Sequence, residues 1–163
     1  MRRRVFCGVM AEQQNNLWEK CIDGKLEEVR EALQAGADPN TTYGDWNFPC
    51  LTWAAQYNHD EVVALLLSSE GIKVNAKTGW DSTALHHACS CGSLASLSKL
   101  LAAPQPLELN ERDGNGETPI MLAIRSGNAE AVRMLAALPK VDLDVKDNLG
   151  RSLEEFANRW VRK

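Results

Sequence analysis

A repeat of about 34 residues runs through almost all of the 163-residue chain. Four segments align in register: NNLWEKCIDGKLEEVREALQAGADPN, PCLTWAAQYNHDEVVALLLSSEGIKVN, TALHHACSCGSLASLSKLLAAPQPLELN and TPIMLAIRSGNAEAVRMLAALPKVDLD. Gly24, Asn58, Gly92 and Gly127 recur at spacings of 34, 34 and 35, and Asn40, Asn75, Asn110 and Asp144 at 35, 35 and 34. A partial unit, DNLGRSLEEFANRW, then places Gly150, Ser152 and Ala157 where Gly116, Thr118 and Ala123 stand one unit earlier. Such a period constrains the fold strongly. A unit this short leaves an apolar face open, so it is stable only when a neighbouring copy covers that face.

Each unit reads as two helices. The second carries apolar stripes at helical spacing: Leu26, Val29 and Leu33; Val62, Val63, Leu66 and Leu67; Leu94, Leu97, Leu100 and Leu101; Val132, Leu135 and Leu138. The first carries a small-residue stripe such as Leu85, Ala88 and Cys89, which allows close helix approach. Thr83 and Thr118 stand as N-caps, Pro119 takes the first helical position, Ser152 with Glu155 forms a capping box, and Asn15 caps the first unit. In the second unit Pro49 and Cys50 replace the Thr-Pro pair, which leaves Asn47 as the expected cap. Lys20 and Asn158, at positions where inner units hold small residues, give the terminal units polar outer faces. Ile72, Leu107 and Val141, in the loops between units, are expected to pack down between helices.

Thr118-Pro119-Ile120-Met121-Leu122-Ala123 and Thr83-Ala84-Leu85-His86-His87-Ala88 are the best copies of the fingerprint by which the chain resembles the ankyrin-repeat family, over about residues 13–160. The resemblance implies an all-α solenoid of about four and a half helix-turn-helix units with short turn loops and a concave groove. The units run over about 13–40, 41–75, 76–110 and 111–144, with a partial C-terminal cap at 145–160 and a disordered tail over 1–12. Residues 1–9, with an Arg cluster and a short apolar patch before Met10, read as an upstream extension or a targeting segment.

Composition narrows the class of partner. A net charge of -4 and a pI of 5.4 argue against a general nucleic-acid or anionic-membrane binder. No apolar run approaches the roughly 20 residues of a membrane span. The five cysteines show neither CxxC pairs nor disulfide-framework spacing, so reduced thiols and a cytoplasmic or nuclear location are expected. The expected partner is another protein, with no nucleic acid and no membrane insertion, and the chain is expected to be a monomer.

STALHHACSCG, residues 82–92, suggests a metal site until it is placed on a helix. With His87 at zero, Cys91 lies at about 40°, His86 near -100° and Cys89 near -160°. The four side chains cannot converge on one ion. His86 belongs to the helix start and Cys89 to the core stripe, which leaves His87 and Cys91 as an exposed pair. Two ligands do not close a zinc site, and neither a catalytic motif nor a phosphate-binding loop is present. The chain reads as non-enzymatic, with no cofactor and no metal.

In the ankyrin-repeat family the turn tips and the exposed side of the first helices line the groove that binds other proteins. Carried onto this sequence, that surface includes Trp46, Phe48, Trp53, Tyr57, Trp80, His87, Cys91, Glu117 and Arg125. Five of the chain's ten aromatics fall on or beside it, in the second and third units, and Trp and Tyr are enriched at binding hot spots. The expected function is an adaptor, scaffold or inhibitor. Two alternatives remain open: redox or metal sensing through Cys91 and His87, and a structural fragment of a larger scaffold protein.

Overall fold

The computed structural model describes residues 17–161; the expected tail, the Asn15 cap and the start of the first unit lie outside them. The first unit contributes α1 (Leu17–Ile22) and α2 (Leu26–Gln34), and a hairpin of β1 (Thr42–Tyr43) and β2 (Phe48–Pro49) leads into the second. There follow α3 (Cys50–Gln56) with α4 (Asp60–Leu67), α5 (Ala84–Cys91) with α6 (Leu94–Leu101), α7 (Pro119–Arg125) with α8 (Ala129–Ala136), and finally α9 (Leu153–Val161). The expected solenoid is present, with one addition. The turn before α3 is a two-stranded antiparallel ladder pairing Thr42 with Pro49 and Tyr43 with Phe48.

The helices form two layers. α1, α3, α5, α7 and α9 stack in chain order, and α2, α4, α6 and α8 form the second layer behind them. Ala54, Ala88 and Ala123 are fully buried, which lets the first helices approach closely, while Leu66, Leu97, Leu100 and Leu135 fill the space between layers. At the terminal units the same register changes character: Lys20 is half-buried and Asn158 exposed. Ile72, Leu107 and Val141 pack onto the core from the loops.

Two sets of polar contacts bind each unit to the next. The residue just after each inter-helix turn reaches back to the end of the preceding unit's first helix, where carbonyls lack helical partners. His59 Nε2 donates to the Ile22 carbonyl at 2.8 Å, Ser93 Oγ to Gln56 at 2.9 Å, and Asn128 Nδ2 to Cys89 at 2.7 Å. On the loops, Asn40, Asn75 and Asn110 each donate to the next unit's loop carbonyl (Gly71, Pro106, Lys140) and accept a loop N–H (Lys73, Glu108, Asp142), all at 2.7–3.0 Å. A carboxamide donates and accepts at once in this way, whereas an ionised Asp144 at the fourth position can only accept.

Two helix starts differ from expectation. Asn47 does not cap α3; it sits at φ 49° in the hairpin turn, and the Cys50 N–H is taken instead by the Thr41 carbonyl at 3.0 Å. The hairpin supplies what the missing threonine would have. Thr118 has the extended backbone of an N-cap, but its buried hydroxyl finds no partner among the described residues. The Ser152–Glu155 box forms as expected, with Glu155 Oε2 accepting from the Ser152 N–H at 2.7 Å.

Gly24 shows how tight the interface is. Its φ is +69°, and a Cβ there would lie 2.4 Å from the His59 ring, which the bond to Ile22 holds in place. Gly71 has nearly the same φ, +72°, with open space around it. Alanine at either position pays about 1–2 kcal/mol for the left-handed backbone. Gly24→Ala also displaces His59 and is expected to lose about 1 kcal/mol more than Gly71→Ala in urea unfolding; equal losses would show that the His59 contact contributes nothing.

Candidate protein-binding surface

The tips preceding α5, α7 and α9 are built alike. The Thr78 N–H bonds the Ser82 carbonyl, Asp113 that of Glu117 and Asp147 that of Arg151, at 2.8–3.1 Å. The side chain opening each turn then organises it. Asp113 Oδ1 accepts from Asn115 and Glu117 N–H, and Asp147 Oδ1 from Leu149 and Arg151 N–H, all at 2.8–3.0 Å. Successive tips are also bonded to one another. The Gly79 N–H donates to the Trp46 carbonyl at 2.6 Å, Gly114 to Trp80 at 2.9 Å and Asn148 to Asn115 at 3.0 Å. A Cβ on Gly79 would come within 3.2 Å of Trp46 Cα, so the tips approach closely there. The tips form one continuous rim.

An aromatic band crosses the second and third units. Phe48 is its hub, with ring centroids 4.6 Å from Trp53, 5.0 Å from His87 and 5.6 Å from Trp80, the last edge-on. Trp46 packs on Trp80 at 4.9 Å, and Trp53 leads to Tyr57 at 6.2 Å. Trp46, Trp80 and Tyr57 remain 50%, 47% and 48% exposed, whereas Phe48 is 7% exposed and Trp53 half-buried. Phe48 is therefore corrected from surface contact to internal support, since its ring faces are spent on three neighbours. A second stack, Trp18 on Tyr43 at 3.5 Å, joins α1 to the hairpin.

Two further expectations change. Glu117 is not an exposed tip residue: it is 1% exposed, with its carboxylate against Arg125 Nη1 and 3.5 Å from Arg151 Nη2. Burial pushes its carboxyl above the usual range, and the Arg125 guanidinium pulls against that shift. Two long side chains fold over it, one from the end of α7 and one from the next tip. His87 is not the exposed member of a pair with Cys91. Its ring packs against Phe48, and its Nε2 is buried without a partner among the described residues.

His86 works as the helix start the fingerprint implies. Nδ1 accepts from the Thr83 N–H at 3.1 Å, so Nε2 carries the proton and donates to the Glu111 and Glu117 carbonyls at 3.1 and 3.2 Å. One neutral ring thus ties a helix N-terminus to the following turn, and burial lowers its pKa. Cys91 is exposed, and partial burial raises its thiol rather than favouring a thiolate. Cys89 is pushed up to about 12 by burial. Among the described residues no group of three His, Cys, Asp or Glu side chains could hold a metal. Sensing through Cys91 and His87 finds neither an activated thiol nor a ligand set.

Between the third and fourth tips lies a cleft of about 460 Å³, lined by Trp80, Asp81, His87, Asp113, Leu122 and Arg125 among others. Arg125, half-exposed, bridges it to Glu117. Asp81 and Asp113 join the site beyond the residues that the family resemblance implies. Asp81 holds φ 58° at the turn position where the next two units have Gly116 and Gly150, a non-glycine choice that could have marked it. No described helix is long and apolar enough to cross a membrane.

Comparison with known proteins places these features in a family. The description "Ankyrin repeats (3 copies)" matches residues 73–147, and "Ankyrin repeat" matches residues 46–79. A probable 26S proteasome regulatory subunit p28 of Saccharomyces cerevisiae is 30% identical over 145 residues, covering 88% of this chain and 63% of the yeast protein. A probable E3 ubiquitin-protein ligase XBOS32 of Oryza sativa subsp. japonica is 30% identical over 136 residues, 78% of this chain and 26% of its own length. Alpha-latrotoxin-Lg1a of Latrodectus geometricus is 40% identical over 75 residues, 45% of this chain and 5% of the toxin. The chain spans less than two thirds of each of these relatives.

The half-buried His87 sets a pH dependence. Burial, with the neighbouring His86, moves its pKa from 6.5 down to about 4. As pH falls through 6.5 the unfolded chain takes up the proton first, so stability is lost from there down to the folded value near 4, by about 3 kcal/mol in all. His87→Leu, which installs the residue the fourth unit carries here, is expected to lose less stability across that window than the parent in urea unfolding at stepped pH. Parallel pH profiles would contradict the assignment.

Proposed function

The chain belongs to the ankyrin-repeat family, and on that premise we propose that it is a non-enzymatic interaction module holding a partner protein in the groove and tips of its second and third units. One observation carries this reading. Trp46 and Trp80 sit side by side on a hydrogen-bonded rim, each about half exposed. An indole pair held rigidly at a surface loses little side-chain entropy on binding and offers a large apolar area with a polar edge. Tyr57 extends that surface along α3, while Phe48 and Trp53 pack against its rings.

The relatives favour binding over catalysis as the shared property. Their names range from a probable proteasome regulatory subunit to a probable ubiquitin ligase and a toxin, so what they share with this chain is the repeat array rather than one target. The proposed role is that of an adaptor, scaffold or inhibitor in the cytoplasm or nucleus, where reduced cysteines fit.

Trp46→Ala combined with Trp80→Ala is expected to cost about 1–2 kcal/mol of stability and to weaken partner capture from native cell extract, followed by mass spectrometry, about tenfold or more. Leu97→Ala, in the core, is expected to lose about 2–5 kcal/mol while capture persists below its melting temperature. Capture undiminished in the double variant would reject the groove as the binding surface.

A further inference from the structure

We propose that the cleft beneath Trp80 receives an arginine side chain of the partner protein. The inference rests on the groove reading above and adds the chemistry of one residue of the partner.

The charges facing the cleft do not cancel. Arg125 lines it, but its guanidinium is committed to Glu117, and Arg151, behind Glu117, is committed to Asp147 and Glu117. Glu111, in the loop leading to the fourth tip, is paired with Lys77. Asp81 and Asp113 form no ion pair with any described residue. Asp113 Oδ1 accepts two turn N–H groups, while Oδ2 takes no hydrogen bond from any described residue. His86 and His87, lowered by burial, bring no compensating positive charge at neutral pH. Two carboxylates therefore line a concave space with no described cation in contact with either; the Lys77 ammonium, which feels the charge of Asp81, is bonded to Glu111.

The walls specify which cation fits. Trp80 is 47% exposed and lines the cleft together with the apolar Leu122. An aromatic face beside carboxylates suits a planar guanidinium, which stacks through its face while its edge donates to oxygen; an ammonium, a strongly hydrated point charge, uses only the second contact. The volume of about 460 Å³ accommodates such a head group with its three-carbon stem.

The test uses the full chain, labelled with ¹⁵N and titrated at constant ionic strength with N-acetyl-arginine amide. Saturable shifts are expected at the Gly114 and Asn115 amides and the Trp80 indole N–H, with a dissociation constant on the order of 10 mM. The neutral isostere N-acetyl-citrulline amide and N-acetyl-lysine amide should each bind about fivefold more weakly or less. Asp81→Asn with Asp113→Asn, which keeps the left-handed turn position and the Oδ1 acceptor, should weaken arginine amide by about fivefold as well. Citrulline or lysine amide matching arginine, an unchanged titration in the double Asn variant, or no saturable shift would each overturn the proposal. Failure here leaves the groove reading standing if the paired tryptophan variant still loses its partner; failure of that capture experiment removes the groove reading whatever the titration shows.

Discussion

Everything in this molecule depends on each unit being covered and hydrogen-bonded by the next. A pair of short helices cannot bury its own apolar face, and α1 or α3 alone would leave its last carbonyls without partners. The stacked neighbour supplies both. Ala54, Ala88 and Ala123 let the first helices meet, and His59, Ser93 and Asn128 reach back to carbonyls that the preceding helix cannot pair itself. The asparagine ladder repeats the arrangement on the loop side. Stability is thus a property of interfaces, and the binding surface inherits its rigidity from them.

That inheritance is visible at the rim. The tips are bonded to each other through Gly79, Gly114 and Asn148 before any partner arrives. Buried polar groups sit directly beneath: His86 fastens the start of α5 to the turn of the next unit, and Glu117 gathers Arg125 and Arg151. A surface held from below in this way places Trp46 and Trp80 where their exposed area is available at low entropic cost.

Much of this was legible in the sequence because the repeat register fixes which residues share a face. The core stripes, the left-handed positions of Gly24, Asn58, Gly92 and Gly127, and the loop anchors Ile72, Leu107 and Val141 follow directly from that register. What the register does not carry is pairing between units. Glu117 looked exposed because its partners lie 8 and 34 residues further on, and His87 because the phenylalanine that covers it belongs to the preceding hairpin. Asn47 looked like a cap because a hairpin in place of a plain turn has no signal in the Thr-Pro fingerprint. Two further features of the sequence are marked by that register: Asn40, Asn75 and Asn110 recur in step, and Asp81 stands at a glycine position.

The central claim, that stacking between units preforms the binding rim, is tested most directly by amide hydrogen exchange of the free protein. Gly79 and Gly114 donate their N–H groups to the carbonyls of neighbouring tips, so their amides are predicted to be protected and to open in step with helix amides of α3, α5 and α7. Exchange at Gly79 and Gly114 at the rate of an unstructured peptide, with the helices still protected, would contradict it.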